Sequence, residues 1–140
     1  MINDDLRLTG ALTISLNGVV VQETNNLVVT AGKNWVADRM NDANTVMTHM
    51  ALGTSTTAAA VGQTALVAEL DRNTLTSTTV STNTVAYACT WAAGDGTGAI
   101  TEAGIFDHAT SGDMLARTVF SVVNKAASDS ITITWTITIS

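Results

Sequence analysis

The sequence is poor in several residue types on which whole classes of function depend. It has no proline, one cysteine, six basic residues among 140 and only 4% aromatic residues. The single cysteine, Cys89, excludes an intrachain disulfide, which fits folding in a reducing cytosol. Binding to a phosphate backbone or an anionic membrane surface requires clustered Lys and Arg. Because the six basic residues are dispersed and the net charge is −6, we expect neither nucleic acid nor a membrane as a partner.

The chain also shows no membrane-spanning or secretory pattern. No stretch has the roughly 20 consecutive apolar residues that a spanning helix needs. Met1–Asp5 lacks the basic and apolar regions of a signal peptide. We therefore expect the chain to fold in a reducing cytosol.

What the sequence does contain is strict alternation, most clearly in its last ten residues. Residues 131–140 read Ile-Thr-Ile-Thr-Trp-Thr-Ile-Thr-Ile-Ser. Side chains alternate between the two faces of a strand, so the isoleucines and Trp135 share one dry face and the threonines share the other. A slip of one residue would expose the whole apolar row, which fixes the register. We predict that this strand lies inside a sheet and that Trp135 is core.

The N-terminal part of the chain predicts a hairpin and a helix. Leu6–Leu16 and Val19–Thr24 alternate, and Asn17-Gly18 between them is typical of a two-residue type I′ turn. Ala31–Asn41 has helical spacing, with Thr30 as the predicted N-cap. Apolar residues of this helix are predicted to face inward, namely Trp35, Val36 and Met40.

The rest of the chain predicts strands separated by polar or glycine-rich turns, including the turn at residues 94–98. A short helical turn is predicted after Thr64. The fold class is therefore all-β: a single-domain antiparallel β-sandwich or jelly roll of about eight strands with one or two short helices. It comprises residues 6–140 after an N-terminal arm, 1–5. The remaining predicted strands are Val46–Leu52, Arg72–Val80, Thr84–Trp91, Ile100–Phe106 and Met114–Val123.

Catalytic and metal-binding patterns are weak. Asp107, His108 and Ser111 are the three residue types of a Ser-His-Asp triad and lie close together in sequence, but no nucleophile elbow surrounds them. Two histidines and one cysteine, far apart, do not make a zinc site. Glu102 is interpreted as a turn or interface residue, and Cys89 as a small core residue. We predict no catalytic residue, no cofactor and no metal.

Five segments are distinctive, namely Met50-Ala-Leu-Gly-Thr-Ser-Thr-Thr57, Thr64-Ala-Leu-Val-Ala-Glu-Leu70, Ile100-Thr-Glu-Ala-Gly-Ile-Phe-Asp107, Met114-Leu-Ala-Arg-Thr-Val-Phe120 and the terminal Thr-Ile-Thr-Trp-Thr-Ile row. In this order they resemble small virion structural proteins of tailed bacteriophages. These proteins are head-decoration, tail-associated or otherwise structural, and the resemblance covers most of the chain after Asn25. It implies an assembly protein of the virion, made in the host bacterial cytoplasm and without enzymatic activity.

The leading hypothesis is a capsid cement or decoration protein on the outer head surface. A tail, baseplate or fibre-attachment component of the particle is the first alternative, and a carbohydrate-binding β-sandwich module is the second. The expected partners are the major capsid protein, or another virion protein, and further copies of this chain, with a trimer favoured. The predicted interface is the arm before the first strand, that is Met1, Ile2, Asn3, Asp4 and Asp5.

Overall fold

Ten strands and one helix make up the computed structural model of the protein, which describes residues 4–140. The helix, α1, spans Thr30–Met40. In chain order the strands are β1 (Leu8–Leu16), β2 (Val19–Asn25), β3 (Leu27–Val28), β4 (His49–Gly53), β5 (Glu69–Thr74), β6 (Ser77–Ser81), β7 (Thr84–Trp91), β8 (Gly98–Phe106), β9 (Met114–Lys125) and β10 (Ile131–Ile139).

The strands form two five-stranded antiparallel sheets. The first sheet has the order β2-β1-β10-β7-β6, and the second has the order β3-β9-β8-β4-β5. The main apolar core takes side chains from both sheets, including Leu12 and Trp135 from the first and Leu52 and Ile105 from the second. The predicted all-β sandwich is confirmed.

The alternating strand β10 lies at the centre of the first sheet. Trp135 is fully buried, and its register partners are Leu12 on β1 and Tyr87 on β7. Ile131 and Ile133 are also fully buried. The alternation therefore gives the correct face and burial for residues 131–137, whereas Ile139 at the end of the strand is 38% exposed.

The predicted hairpin turn is confirmed by its backbone geometry. Asn17 and Gly18 join β1 to β2 with φ angles of 50° and 81°. Positive φ at both central residues is the signature of a type I′ turn, whose twist matches that of the two strands.

The helix prediction is wrong in two details. Val29 is the N-cap and makes no side-chain hydrogen bond, whereas Thr30 is the first residue of the helix and its N–H donates to Val61 O (2.8 Å). Met40 is 85% exposed, whereas Trp35 and Val36 pack against the core. The backbone of the helix approaches β9 so closely that a Cβ on Gly32 would lie 2.1 Å from Leu115 O. Glycine is therefore required there for close packing.

Three further predictions require correction. Residues 72–80 are not one strand: the chain leaves the second sheet at Leu75, whose N–H donates to Thr48 O, and enters the first at Thr76, whose N–H donates to Ala88 O. The strand predicted from Val46 begins only at His49. No helical turn follows Thr64, because the N–H groups of Val67 and Ala68 donate to the carboxylate of Glu102 instead.

The second sheet is covered on both faces. Its inner face forms the main core, and its outer face carries a smaller apolar cluster that includes Phe106, Met114 and Leu66. Leu66 belongs to the long segment between β4 and β5, residues 54–68, which we call the covering loop. This loop turns the outer face of the second sheet into a second buried layer.

We predict that Trp135→Ala destabilises the fold by about 3–5 kcal/mol, because it leaves a large cavity at the centre of the core. Denaturant-induced unfolding measures this loss. Val80→Ala is the control, since Val80 is 70% exposed and its removal should change the free energy of unfolding by less than about 0.5 kcal/mol. A loss below about 1 kcal/mol for Trp135→Ala would contradict its assignment to the core.

Candidate functional site

A fully buried ion pair links β8 and β9 beneath the covering loop. Arg117 Nη2 and Nε donate to Glu102 Oε2 at 2.6 and 3.0 Å, and both side chains are 0% exposed. Two donors of one guanidinium converge on one carboxylate oxygen, which is a strong charge-assisted arrangement. Among the ion pairs of residues 4–140, this is the one in which both side chains are fully buried.

The carboxylate of Glu102 also holds the backbone of the covering loop. Its Oε1 accepts from the N–H of Ala68 at 2.7 Å and from the N–H of Ser55 at 3.3 Å. Its Oε2 accepts from the N–H of Val67 at 3.2 Å. One side chain thus binds both ends of the loop, and this is why residues 64–68 do not form the predicted helical turn.

Arg117 binds the middle of the same loop. Its Nη1 donates to Thr57 O and to Gln63 Oε1, both at 3.0 Å. Beside the pair, Thr101 Oγ1 donates to Ser55 O at 2.8 Å. The buried pair and its partners together fasten the covering loop to the second sheet, and we call this arrangement the clamp.

Local strand geometry creates room for the clamp. Glu102 lies opposite Val119, and Gly104 lies opposite Arg117, so the two charged residues are diagonal neighbours. A register shift between Ile100 and Glu102 turns Glu102 to the outer face while Ile100 points into the core. Gly53 on β4 leaves space, since a Cβ there would lie 2.4 Å from Glu102 Oε1.

The interpretation of Glu102 as a turn or interface residue is therefore wrong. Glu102 lies within a strand and has no solvent exposure. A signal for the clamp does exist in the sequence: Glu102 and Arg117 are single opposite charges inside two apolar runs on consecutive predicted strands. Charged residues are rarely buried unless they are paired, so this combination indicates a buried pair.

A second polar cluster lies around Arg72 on β5. Arg72 Nη1 donates to His108 O (2.9 Å) and to Ser111 O (2.8 Å), and its guanidinium stacks 3.7 Å above the ring of Phe106. Glu69 pairs with it at 2.7 Å. This cluster joins the edge of the second sheet to the turn at residues 107–113.

The structure brings together two members of the Ser-His-Asp trio. His108 Nδ1 lies 2.6 Å from the buried Asp107 Oδ1, which also accepts from the N–H of Asp113. Ser111, in contrast, is tied through its backbone oxygen to Arg72. Asp107 thus shapes the turn, and the pairing that activates a serine hydroxyl is not formed.

Burial shifts the pKa values of three other titratable groups. Cys89 is fully buried, as predicted, and burial raises the pKa of its thiol to about 12. Burial likewise raises the pKa of Tyr87 to about 12. Burial, together with the nearby charges of Arg72 and His108, lowers the pKa of His49. Both the thiol and the phenol are therefore neutral at pH 7.

The predicted interface residues lie at the start of the chain. Asp4 and Asp5 are exposed and precede β1, and Met1, Ile2 and Asn3 lie outside the described residues. Their role in an interface stays a prediction.

Comparisons of the chain with family models, with curated proteins and with solved structures gave no match. Within residues 4–140, no helix is long and apolar enough to cross a membrane. In the same part of the chain, no group of three or more His, Cys, Asp or Glu side chains could hold a metal ion.

We predict that Arg117→Met destabilises the fold by about 3–5 kcal/mol, because it leaves the charge of Glu102 buried without a partner. The double variant Glu102→Gln/Arg117→Met should recover part of this loss, since a neutral amide still accepts from the loop. Glu69→Gln, which breaks a partly exposed pair, should cost less than about 1 kcal/mol. Denaturant unfolding of all three variants checks this, and a loss below about 1 kcal/mol for Arg117→Met would contradict the clamp.

We also predict that no metal contributes to folding. Thermal unfolding with and without a chelator should give superimposable curves. A large fall in Tm on chelation would show that a bound metal ion stabilises the fold, and it would contradict the prediction.

Proposed function

We propose that the protein is a non-enzymatic structural protein of a bacteriophage particle, a capsid cement or decoration protein on the outer surface of the head. The observation that carries the proposal concerns the segments that resemble phage virion proteins. Four of them meet at the clamp: β4, the end of the covering loop, β8 and β9. These segments therefore have a structural role, which is to hold the covering loop on the second sheet.

A clamped loop suits a protein that binds by shape. The covering loop exposes Val61 and Val67, each 53% accessible, on a backbone that Glu102 and Arg117 hold in place. A surface that is already ordered loses little conformational entropy on binding. Such a surface can bind a repeating lattice without rearranging.

The charge of the protein supports an external position. A net charge of −6 repels packaged DNA, whereas the outer surface of a head imposes no such repulsion. We infer that the partner is the major capsid protein or another virion protein, and that copies of this chain associate with one another.

A tail, baseplate or fibre-attachment component is the second candidate, because the same resemblance covers proteins of both kinds. The carbohydrate-binding candidate is weaker. Sugar binding on a sandwich uses an exposed aromatic platform, yet five of the six aromatic side chains are buried and Trp35 is partly buried. The indole N–H of Trp35 also donates to Thr45 O at 2.7 Å.

The number of copies per particle tests the proposal. We expect quantitative mass spectrometry of purified particles to find this protein near parity with the major capsid protein. We also expect the purified protein to bind heads that lack it and to raise their resistance to heat. A handful of copies per particle would favour the tail alternative, and its absence from particles would overturn the virion proposal.

A further inference from the structure

The first residues of β1 have an open edge. Pairing between β1 and β2 begins where Ala11 lies opposite Asn25, because the chain then crosses to the second sheet. The last main-chain hydrogen bond on this side joins Asn26 N to Gly10 O at 3.1 Å. Within the described chain, no strand therefore pairs with Leu8 on this edge, where Leu27, Val28 and Lys33 line a pocket of about 440 Å³ beside it.

The main-chain groups of this segment point toward that edge. Arg7 and Ser140 exchange both hydrogen bonds across β1 and β10, at 2.8 and 2.9 Å. In an antiparallel ladder, alternate residues bond to opposite sides. The N–H and C=O groups of Leu8 thus face away from β10, and in a continued strand those of Leu6 do so too. A strand added at this edge would bond to these groups.

The same edge carries an exposed apolar residue and charges of both signs. Leu6 is 72% exposed, and Asp4, Asp5 and Arg7 are exposed as well. Lys33 of α1 lines the two adjoining pockets beside Leu8, of about 440 and 420 Å³. Across residues 4–140, no ion pair within 4 Å involves these four charged side chains.

We propose that two copies of the chain associate through this edge, with residues 4–8 of each copy pairing antiparallel about a two-fold axis at Leu6. In this register Leu6 lies opposite the partner's Leu6, and Asp5 lies opposite the partner's Arg7. Asp4 lies opposite the partner's Leu8, next to the partner's Lys33. The first sheets of the two copies then form one continuous sheet.

The side chains select this register over its neighbours. Leu6 and Leu8 occupy hydrogen-bonded positions, so Asp5 and the partner's Arg7 fall at a non-hydrogen-bonded position, where side chains approach most closely. A two-residue slip one way would place Asp5 opposite the partner's Asp5. The slip the other way would place Arg7 opposite the partner's Arg7. Both slips place like charges directly opposite each other, which is destabilising.

The dimer contact itself is argued from the structure alone. Its location in a phage particle rests on the proposed function. In this contact, the predicted interface residues Asp4 and Asp5 pair with basic side chains of a second copy. A two-fold contact is self-complementary and closes with two copies. It therefore favours a dimer as the unit in solution, in place of the trimer expected from the sequence.

Charge reversal at the opposed pair tests the contact. We expect the wild-type protein to dimerise in analytical ultracentrifugation over a broad concentration range. Asp5→Arg and Arg7→Asp each place like charges opposite each other twice per dimer. Each should therefore raise the dissociation constant at least about tenfold. Asp95→Arg, which reverses an exposed charge in a distant turn, is the control and should leave it unchanged.

Mixing gives the sharpest readout. An Asp5→Arg copy and an Arg7→Asp copy have opposite charges at both pairs, so the mixture should form heterodimers that neither variant forms alone. The double variant Asp5→Arg/Arg7→Asp should again dimerise with itself. A monomeric wild type, single variants that dimerise normally, or a mixture that stays monomeric would each overturn the proposal.

A crosslink at the two-fold axis gives an independent readout. Leu6→Cys should yield a covalent dimer on mild oxidation, which a thiol reductant reverses. Val80→Cys, at the opposite edge of the first sheet, should not, and native Cys89 is buried. No crosslink through Leu6→Cys would contradict the register. A dimer that passes these tests but does not bind particles would leave the contact intact and overturn only the proposed function.

Discussion

The buried pair of Glu102 and Arg117 is the interaction on which the second sheet depends. Transfer of two ions from water into a protein interior costs several kcal/mol for each ion, and attraction alone offsets this only in good geometry. Here the carboxylate accepts from the guanidinium and from three backbone N–H groups, and the guanidinium also donates to Thr57 O and Gln63 Oε1. The polar capacity of both ions is thus largely satisfied inside the fold.

The clamp lets a long irregular segment act as a structural layer. Loops generally lie on the surface because buried backbone groups require partners. The covering loop has those partners in Glu102 and Arg117, and so Leu66 can be buried against Phe106 on the outer face of the second sheet. The first sheet follows a simpler rule, in which the alternating strand β10 packs its apolar row into the core. The result is a domain in which both faces of the second sheet are covered, and this agrees with the proposed structural role in a particle.

Patterns within a few neighbouring residues correctly predict the central strand of the first sheet and the first hairpin turn. The alternation around Trp135 and the Asn17-Gly18 turn fix a face, a register and a φ angle within a few residues, and the structure confirms them. The crossing of the chain at Leu75 could not be predicted in this way, because a Thr-rich segment fits either sheet equally well. Glu102 was missed because the backbone N–H groups that donate to its carboxylate lie 34 to 47 residues away in sequence. The open edge beside Leu8 is likewise visible only once β2 is seen to leave the first sheet at Asn25.

Amide hydrogen exchange on the native protein tests the clamp most directly. Val67 and Ala68 lie outside regular secondary structure, yet their N–H groups donate to the buried carboxylate of Glu102. The account predicts that these two amides exchange as slowly as those of the central strands, while the exposed Ala58 in the same loop exchanges rapidly. Exchange of Val67 and Ala68 at the rate of Ala58 would mean that the loop opens freely, and it would contradict the clamp.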